Sequence, residues 1–381
     1  MNATYDHLVA IVIVVALFVG TVVAVPATMS FNISQAVDQQ QLRNKSLNLF
    51  NAILQGTGSP LNWGSKFPFD QNDVHTFGLA SSSPFSSYIL DSDKVQRLDP
   101  QSPGYMNYSY AKDLLKLQGF GFQFSLFRPF KVAHDIQFIG QSTVQVSVNV
   151  TRTEDGAPIP GSTVKTTIIV TASNANSDEP IFIIDELPPK STNVQGQCPI
   201  LESVNLPTGY TLQRAVAILH ITVTGMETMV VASKDTSVQD YLKINTFGDT
   251  ITLTMRGEYM GSPPGATWVE RVYAYDLDNL LTLYDGSGGN AAKVNNGFGY
   301  DYWTNSFPGL STINPAMLVF VLSVPNPRRL VVVAGPLSFG NQDKIFEFGP
   351  GNPTANVLTT MRRLVIISGM TYVSELVMWT E

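Results

Sequence analysis

From Leu8 to Val25 the chain reads LVAIVIVVALFVGTVVAV, with no charged residue and only Gly20 and Thr21 outside the strongly apolar set. A helix of that length would measure about 27 Å, close to the roughly 30 Å hydrocarbon thickness of a bilayer. The pattern predicts a membrane span over 8–25, or a helix buried on all sides. Past Pro26, Ile33, Val37, Leu47, Phe50 and Leu54 recur at threes, fours and their sums, which predicts an amphipathic continuation over 29–55. The body then changes period. Val144, Val146, Val148 and Val150 alternate with polar residues, as do Val164, Thr166, Ile168 and Val170 after a Gly/Pro turn. Alternation of period two is the mark of half-buried strands, and two such runs across a turn predict a hairpin.

Further strands are predicted at Ile181–Ile184, ending before Pro188-Pro189, and at Ala215–Val223, Met229–Ala232, Thr250–Met255, Val269–Tyr275, Leu330–Ala334, Leu364–Ile367 and Tyr372–Trp379. Ala316–Val324, AMLVFVLSV, is too short to cross a bilayer as a helix and reads as a buried central strand. Short strands between Gly, Pro and Asn turns favour a sandwich or barrel over βαβ units. The expected fold is therefore mainly β: a long N-terminal hydrophobic and amphipathic helix (1–55), a connecting segment (56–132) packed on the head, an immunoglobulin-like β-sandwich (133–210) and a second β-sandwich (211–381).

Within the connecting segment lie LQGTGSPLNWG (Leu54–Gly64), Phe77-Gly78-Leu79-Ala80 and YSYAKDLLKLQGFGFQFSLFRPF (Tyr108–Phe130), and the chain closes on RRLVIISGMTYVSELVMW (Arg362–Trp379). Together with the N-terminal apolar run, these segments resemble archaeal type IV pilin-like surface proteins. That group carries a class III-type hydrophobic helix, a Gly-x-Pro-x-Asn-Trp pattern, a Gly-Leu-Ala and a final β-hairpin. The resemblance covers about the first 130 residues and the last 20. It implies a homo-oligomeric filament at the cell surface, with membrane lipid around the N-terminal helix before assembly and the β domains outside. Its implied filament core is Asp6, Leu8, Ala10, Ile13, Ala16, Leu17, Gly20 and Val23, where Asp6 is the nearest equivalent of the glutamate that pilins usually keep. The plainer reading of the same helix pattern is a single-span anchor with a juxtamembrane stalk, whose β domains capture a ligand as an adhesin or carbohydrate-binding module.

Charge narrows the functional classes. The chain of 381 residues carries 23 Lys+Arg against 30 Asp+Glu, and only 14% of it is charged, against about 25% for an ordinary soluble domain. Such a surface is expected to be covered by subunits, membrane or sugar. A net charge of -7 without basic clusters offers no grip on nucleic acid. The first basic residue is Arg43, so no positive n-region precedes the apolar run, and a cleavable signal peptide is the weaker reading. The single Cys198 rules out an intrachain disulfide and has no adjacent base to activate it.

Candidate chemistry is sparse. His7, His75, His134 and His220 have no metal-ligand spacing; His134-Asp135 could form a general-base pair, though turn polarity before a strand is the simpler reading. Asp285-Gly286-Ser287-Gly288-Gly289 brackets a serine with glycines but leads into an Asn/Gly loop instead of a helix, and it lacks a phosphate-binding lysine. Asp276, Asp278 and Asp285, with Asn279, cluster enough oxygens for Ca²⁺ without EF-hand spacing. Tyr284, Tyr300, Tyr302 and Trp303, with Phe298 and Phe307, place rings on a Gly/Asn loop where they could meet a ligand or a neighbouring subunit. Of the Asn-x-Ser/Thr sequons, Asn107 and Asn149 are the candidate glycan sites, since Asn2 and Asn32 adjoin the apolar run. The expectation is a non-enzymatic protein without a cofactor.

Overall fold

The computed structural model describes residues 39–82, 88–100, 102–174, 177–233, 242–256, 268–277, 279–286, 292–293, 295–297, 300–324, 329–335, 344–351 and 358–381. The predicted span 8–25 and the residues Asp6, Leu8, Ala10, Ile13, Ala16, Leu17, Gly20 and Val23 lie outside that set, as does the first part of the predicted amphipathic stretch. Among the described residues no helix is long and apolar enough to cross a membrane.

Helix α1 covers residues 39–55. It buries Leu42, Ser46, Leu49, Phe50, Ile53 and Leu54, a stripe spaced by fours and threes on one face. Leu47, which the sequence pattern places in this stripe, is 39% exposed, because each step of one residue turns the side chain by about 100° away from Ser46. Two short helices follow, α2 (Ser92–Gln96) and α3 (Tyr108–Leu114), within otherwise irregular chain.

The strands, in chain order, are β1 (Ile89–Leu90), β2 (Phe120–Phe127), β3 (Lys131–Ile139), β4 (Thr143–Thr151), β5 (Thr163–Asn174), β6 (Ser177–Ser191), β7 (Gln197–Ser203), β8 (Tyr210–Val223), β9 (Met226–Ser233), β10 (Leu242–Phe247) and β11 (Thr250–Arg256). They continue with β12 (Trp268–Asp276), β13 (Asn279–Asp285), β14 (Ala292–Lys293), β15 (Asn295–Gly297), β16 (Tyr300–Ser306), β17 (Met317–Val324), β18 (Arg329–Gly335), β19 (Lys344–Phe348), β20 (Leu358–Ile367) and β21 (Met370–Thr380).

One sheet, in the order β1-β20-β21-β2-β19, receives helix α1. Its inner face supplies Phe122, Phe124, Leu126, Val365, Ile367, Leu376 and Met378 to the same core as the helix residues. The β20–β21 hairpin turns at Ser368 (φ 48°) and Gly369 (φ 80°), the left-handed pair that a two-residue turn of this twist requires. A second core lies between β3-β4-β7 and β6-β5-β8-β9 and is filled by Val132, Ile136, Val144, Val146, Val148 and their partners Ile168, Ala217 and Leu219. Strand β6 runs through Pro188-Pro189 instead of stopping before them. It is the outer strand of its sheet, and its ladder with β5 skips a step between Val164 and Thr166, so neither proline is asked for a missing N–H. A third core joins β10-β11-β16-β15 to β13-β12-β17-β18 through Ile244, Leu253, Val272, Trp303 and Phe320. Strand β17 lies inside its sheet with Met317 to Leu322 all buried.

The expected architecture, one long N-terminal helix followed by two successive sandwiches, is therefore corrected. The described chain is mainly β but divides into five sheets, and the one bearing helix α1 is assembled from chain ends: β2 lies between β19 and β21, more than 200 positions away in sequence. Strands β8 and β9 belong with β5, not with a later unit. Local alternation marks each strand and says nothing about which distant strand completes its hydrogen bonds, so succession along the chain is a poor guide to sheet membership here.

Candidate functional site

Helix α1 ends in a joint built from the Gly-x-Pro-x-Asn-Trp and Gly-Leu-Ala segments. Gly56 N–H closes the last turn on Ala52 O (3.0 Å), and the chain from Gly78 crosses directly over it. A Cβ on Gly78 would stand 2.2 Å from Gly56 O, so only two bare backbones can pass at this distance. The crossing is fastened by Leu79 N–H to Ile53 O (2.8 Å) and Ala80 N–H to Gly56 O (2.9 Å). Trp63 is fully buried against it, donates from Nε1 to Gly78 O (3.2 Å), and packs its ring near Phe69 and Phe77 at 6.2 and 6.0 Å.

Helix α2 plugs this joint with charge. Lys94 has no exposed surface, and its Nζ donates to Thr57 O (2.8 Å) and Ala80 O (2.9 Å), with Asp91 Oδ2 at 3.5 Å. Arg97, equally buried, donates to Gly64 O (3.0 Å), Pro103 O (2.5 Å), Gly104 O (3.1 Å) and Lys66 O. Its guanidinium lies 4.5 Å from the Phe69 ring and 3.5 Å from that of Phe247. Both cations thus sit among carbonyl oxygens that loop backbone cannot pair by itself.

The other side of α2 holds strand β10. Gln96 exchanges two hydrogen bonds with Thr246, Nε2 to Oγ1 (2.8 Å) and backbone N–H to Oε1 (2.9 Å), while Asn245 Nδ2 donates to Ser102 Oγ (2.9 Å). Asp93 accepts from Gly248 N–H (2.7 Å) and Thr246 Oγ1 (3.4 Å). Lys243 and Asp99 add an ion pair.

Burial sets the protonation energetics. It pushes the Asp93 carboxyl up to about 7, helped by the neighbouring Asp91 and opposed by Gly248 N–H, Arg97 and Thr246. It lowers Lys94 against the pull of Asp91, and it brings Arg97 down to about 10 against the pull of Asp93. Every charged group here is spent on carbonyls, amides or a counterion within the cluster. The arrangement holds backbone in place.

The residues singled out from sequence are placed elsewhere and apart. Trp303 is 5% exposed, with Tyr284, Phe307 and Phe320 ring centroids at 6.1, 6.2 and 5.5 Å; it is a core residue of the third unit. Tyr300 and Tyr302 stand in β16 opposite Arg256 and Thr254. For calcium, Asp276 and Asp285 occupy opposite ends of the β12–β13 hairpin, since Asp276 pairs with Asn279 and Asp285 with Arg271. At about 3.3 Å per residue those ends are roughly 20 Å apart, too far for one ion. Asp276 Oδ1 accepts from Asn279 N–H (3.0 Å), Asp285 pairs with Arg271 (3.0 Å), and Asp278 lies outside the described residues. No cluster of three metal-ligating side chains occurs among the described residues.

His134 and Asp135 act on each other through charge alone, with Asp135 opposing the fall of the imidazole, because neighbours on a strand face opposite ways: His134 lines up with inward Val132 and Ile136, whereas Asp135 is exposed. Burial, then Arg128, lowers the His134 imidazole to about 4. His220 Nε2 lies 3.3 Å from Glu227. Ser287 falls outside the described residues, and Cys198 is buried, which raises its thiol. Asn107 is exposed at the start of α3, its Oδ1 accepting from Ser109 N–H (2.8 Å). Asn149 sits in β4, the middle strand of its sheet, with Oδ1 buried.

Sequence reasoning passed over Lys94, Arg97, Gln96 and Asn245. Asp91 to Pro100, DSDKVQRLDP, has the look of a solvated charged turn, and a five-residue helix carries too little periodicity to announce that it is buried.

No family model matches this chain, and no curated protein matches it. Among solved structures it is similar to the trypsin-activated alpha-2-macroglobulin from Escherichia coli, at 11% identity and a TM-score of 0.22 over 62% of this chain and 18% of that one. A Salmonella alpha-2-macroglobulin reacted with methylamine gives 12% and 0.16 over 64% and 17%. Dimeric latent PorU from Porphyromonas gingivalis gives 10% and 0.17 over 70% and 27%. The chain spans less than a third of the length of each of these proteins, and likeness at this level assigns it to no family.

Proposed function

We propose that this chain is a structural subunit of a pilus-like filament at the cell surface, joined to lipid and then to neighbouring copies through its apolar segment Leu8–Val25, with the β units outside. The observation that carries this reading is the joint at Gly56–Gly64 and Gly78–Ala80. It fastens the helix that follows the apolar segment to the sheet and to β10 through buried cations and backbone crossings. A subunit that is pulled or packed through its N-terminal segment needs that connection stiff, because any slack there would be repeated at every subunit. Supporting it are the low charge of the chain, which permits close lateral packing, and the resemblance of the joint's own residues to pilin-like surface proteins. The position of Trp303 in the core removes the central ring from an aromatic ligand platform and weighs against a carbohydrate-binding module.

The test is electron microscopy of material sheared from the cell surface, with mass spectrometry of the filaments. Filaments in which this chain is the major component are the expected result. Recovery of the chain solely as a membrane-associated monomer would overturn the proposal.

A further inference from the structure

The contact between α2 and β10 sets a hydroxyl against a carboxamide that is 150 positions away in sequence: Gln96 Nε2 donates to Thr246 Oγ1 at 2.8 Å. An amide C–N bond measures about 1.3 Å, so the Gln96 carbonyl carbon lies within roughly 4 Å of that oxygen. The last torsion of glutamine is broad, and a partial turn about it presents the face of the amide to Oγ1 at the ~3–3.5 Å of a near-attack arrangement. Both side chains are shut away from water, Gln96 at 3% exposure and Thr246 at 6%.

The groups around this pair are those that an acyl transfer uses. Thr246 Oγ1 donates to Asp93 Oδ1 (3.4 Å), so a carboxylate stands ready to take the hydroxyl proton. Asp93 is fixed in turn by Gly248 N–H on its Oδ2 (2.7 Å). Pushed up to about 7 by burial and then by Asp91, it is a stronger base than an ordinary carboxylate and can also give the proton back. Gln96 Oε1 accepts from Thr246 N–H (2.9 Å) and from Asn245 Nδ2 (3.3 Å), two donors on the oxygen where negative charge develops when the carbonyl is attacked. Asn245 is fully buried, and its Nδ2 also donates to Ser102 Oγ (2.9 Å), which fixes its direction. The leaving nitrogen, Gln96 Nε2, is held a second time by Ser92 O (3.2 Å).

We propose that Thr246 and Gln96 join in an ester by an autocatalytic reaction that releases ammonia, tying α2 to β10 covalently. Thr246 gives its hydroxyl proton to Asp93 as Oγ1 bonds to the Gln96 carbonyl carbon. The tetrahedral carbon then breaks its bond to Nε2, which takes the proton back from Asp93 and departs as ammonia; nothing is oxidised or reduced. Asp93 keeps partial access to solvent, which gives ammonia a way out to bulk water, where it is protonated and lost. The burial of Gln96, Asn245 and Thr246 keeps water from hydrolysing the ester. With its single cysteine the chain has no intrachain disulfide, and this bond would brace the joint against β10 whether or not the chain assembles into filaments.

The experiment uses the full-length chain in detergent, its folding checked by circular dichroism, and maps its tryptic peptides by mass spectrometry. Trypsin cuts after Lys94, Arg97, Lys243 and Arg256, so the expected product is residues 95–97 joined to residues 244–256, about 17 Da lighter than the two peptides together because one ammonia is gone. Hydroxylamine should split it into two. Thr246→Val should give the two peptides unlinked, Thr246→Ser should keep the link, and Asp93→Asn should lower the linked fraction at least about tenfold after equal times. Separate peptides at full mass from the folded wild-type chain would overturn the inference, and so would a link that persists in folded Thr246→Val or resists hydroxylamine. Undiminished linking in Asp93→Asn would overturn the role of Asp93 as the base. If the variants fail to fold, the wild-type map with and without hydroxylamine decides alone.

Discussion

Lys94→Met tests whether buried charge, and not apolar packing, holds the joint. Methionine keeps the length and most of the apolar stem, so the change isolates the ammonium. Two carbonyls, Thr57 O at 2.8 Å and Ala80 O at 2.9 Å, lose their donor, and Asp91 loses a counterion at 3.5 Å. Hydrogen bonds to a charged group contribute about 1.5–3 kcal/mol each, which brackets the loss between roughly 3 and 6 kcal/mol. Relief from burying the ammonium, visible in the lowered Lys94 pKa, returns part of this. The expected net cost is about 3 kcal/mol. Hydrogen exchange reads it locally, at the amides of Leu79, Ala80 and Asp91, which bond to Ile53 O, Gly56 O and Leu79 O across the joint. At 1.4 kcal/mol per factor of ten, their protection should fall about 100-fold while the β5 and β8 amides stay within a factor of three. Unchanged protection at those three amides in a folded Lys94→Met protein would refute the reasoning, since the carbonyls would then be satisfied without the ammonium.

Asp93 and His134 give pH dependences of opposite sign. A carboxyl raised to about 7 when folded binds its proton more tightly in the native state, so stability falls as pH rises from about 4 to 7; three pK units bound the effect at about 4 kcal/mol, and partial solvent access of the group reduces it to about 2. Asp93→Asn should flatten that fall in urea titrations at successive pH values. An imidazole lowered to about 4 acts the other way, losing stability as pH falls from 6.5 to 4, by about 2 kcal/mol after the same discount, and His134→Leu should remove the acid sensitivity of the β3–β9 core. Gly78→Ala forces a Cβ to 2.2 Å from Gly56 O and should cost about 3 kcal/mol in thermal or urea unfolding, whereas Gly140→Ala, with open space around it and φ +68°, should cost about 1. Calcium or a chelator should leave the melting temperature within about 1 °C, because Asp276 and Asp285 are at opposite ends of their hairpin. If the β units are outside the cell, glycopeptide mass spectrometry should find sugar at exposed Asn107 and none at Asn149, whose carbonyl oxygen is buried mid-sheet.

Local information in the chain settled the character of its segments. Val144 to Val150 alternate because one face of β4 is buried, Met317 to Leu322 are continuously apolar because β17 is enclosed on both faces, and Ser368-Gly369 turns because it tolerates positive φ. These are short-range facts, written wherever the environment of a strand repeats every residue or every second one. What only the tertiary structure decided is partnership. Nothing in FGFQFSLF names the C-terminal hairpin as its neighbour, and Pro188-Pro189, which suit only an edge or a bulge, do not say that their strand runs on through them beside β5. The joint shows the same division more sharply: Gly78, Trp63 and the Gly-Leu-Ala were legible as a pattern, but Lys94 and Arg97 look like solvent-facing residues until the fold surrounds them with carbonyls. A charge is buried or exposed according to what distant backbone arrives beside it, and that is fixed by the packing of the whole chain and by no window of its sequence.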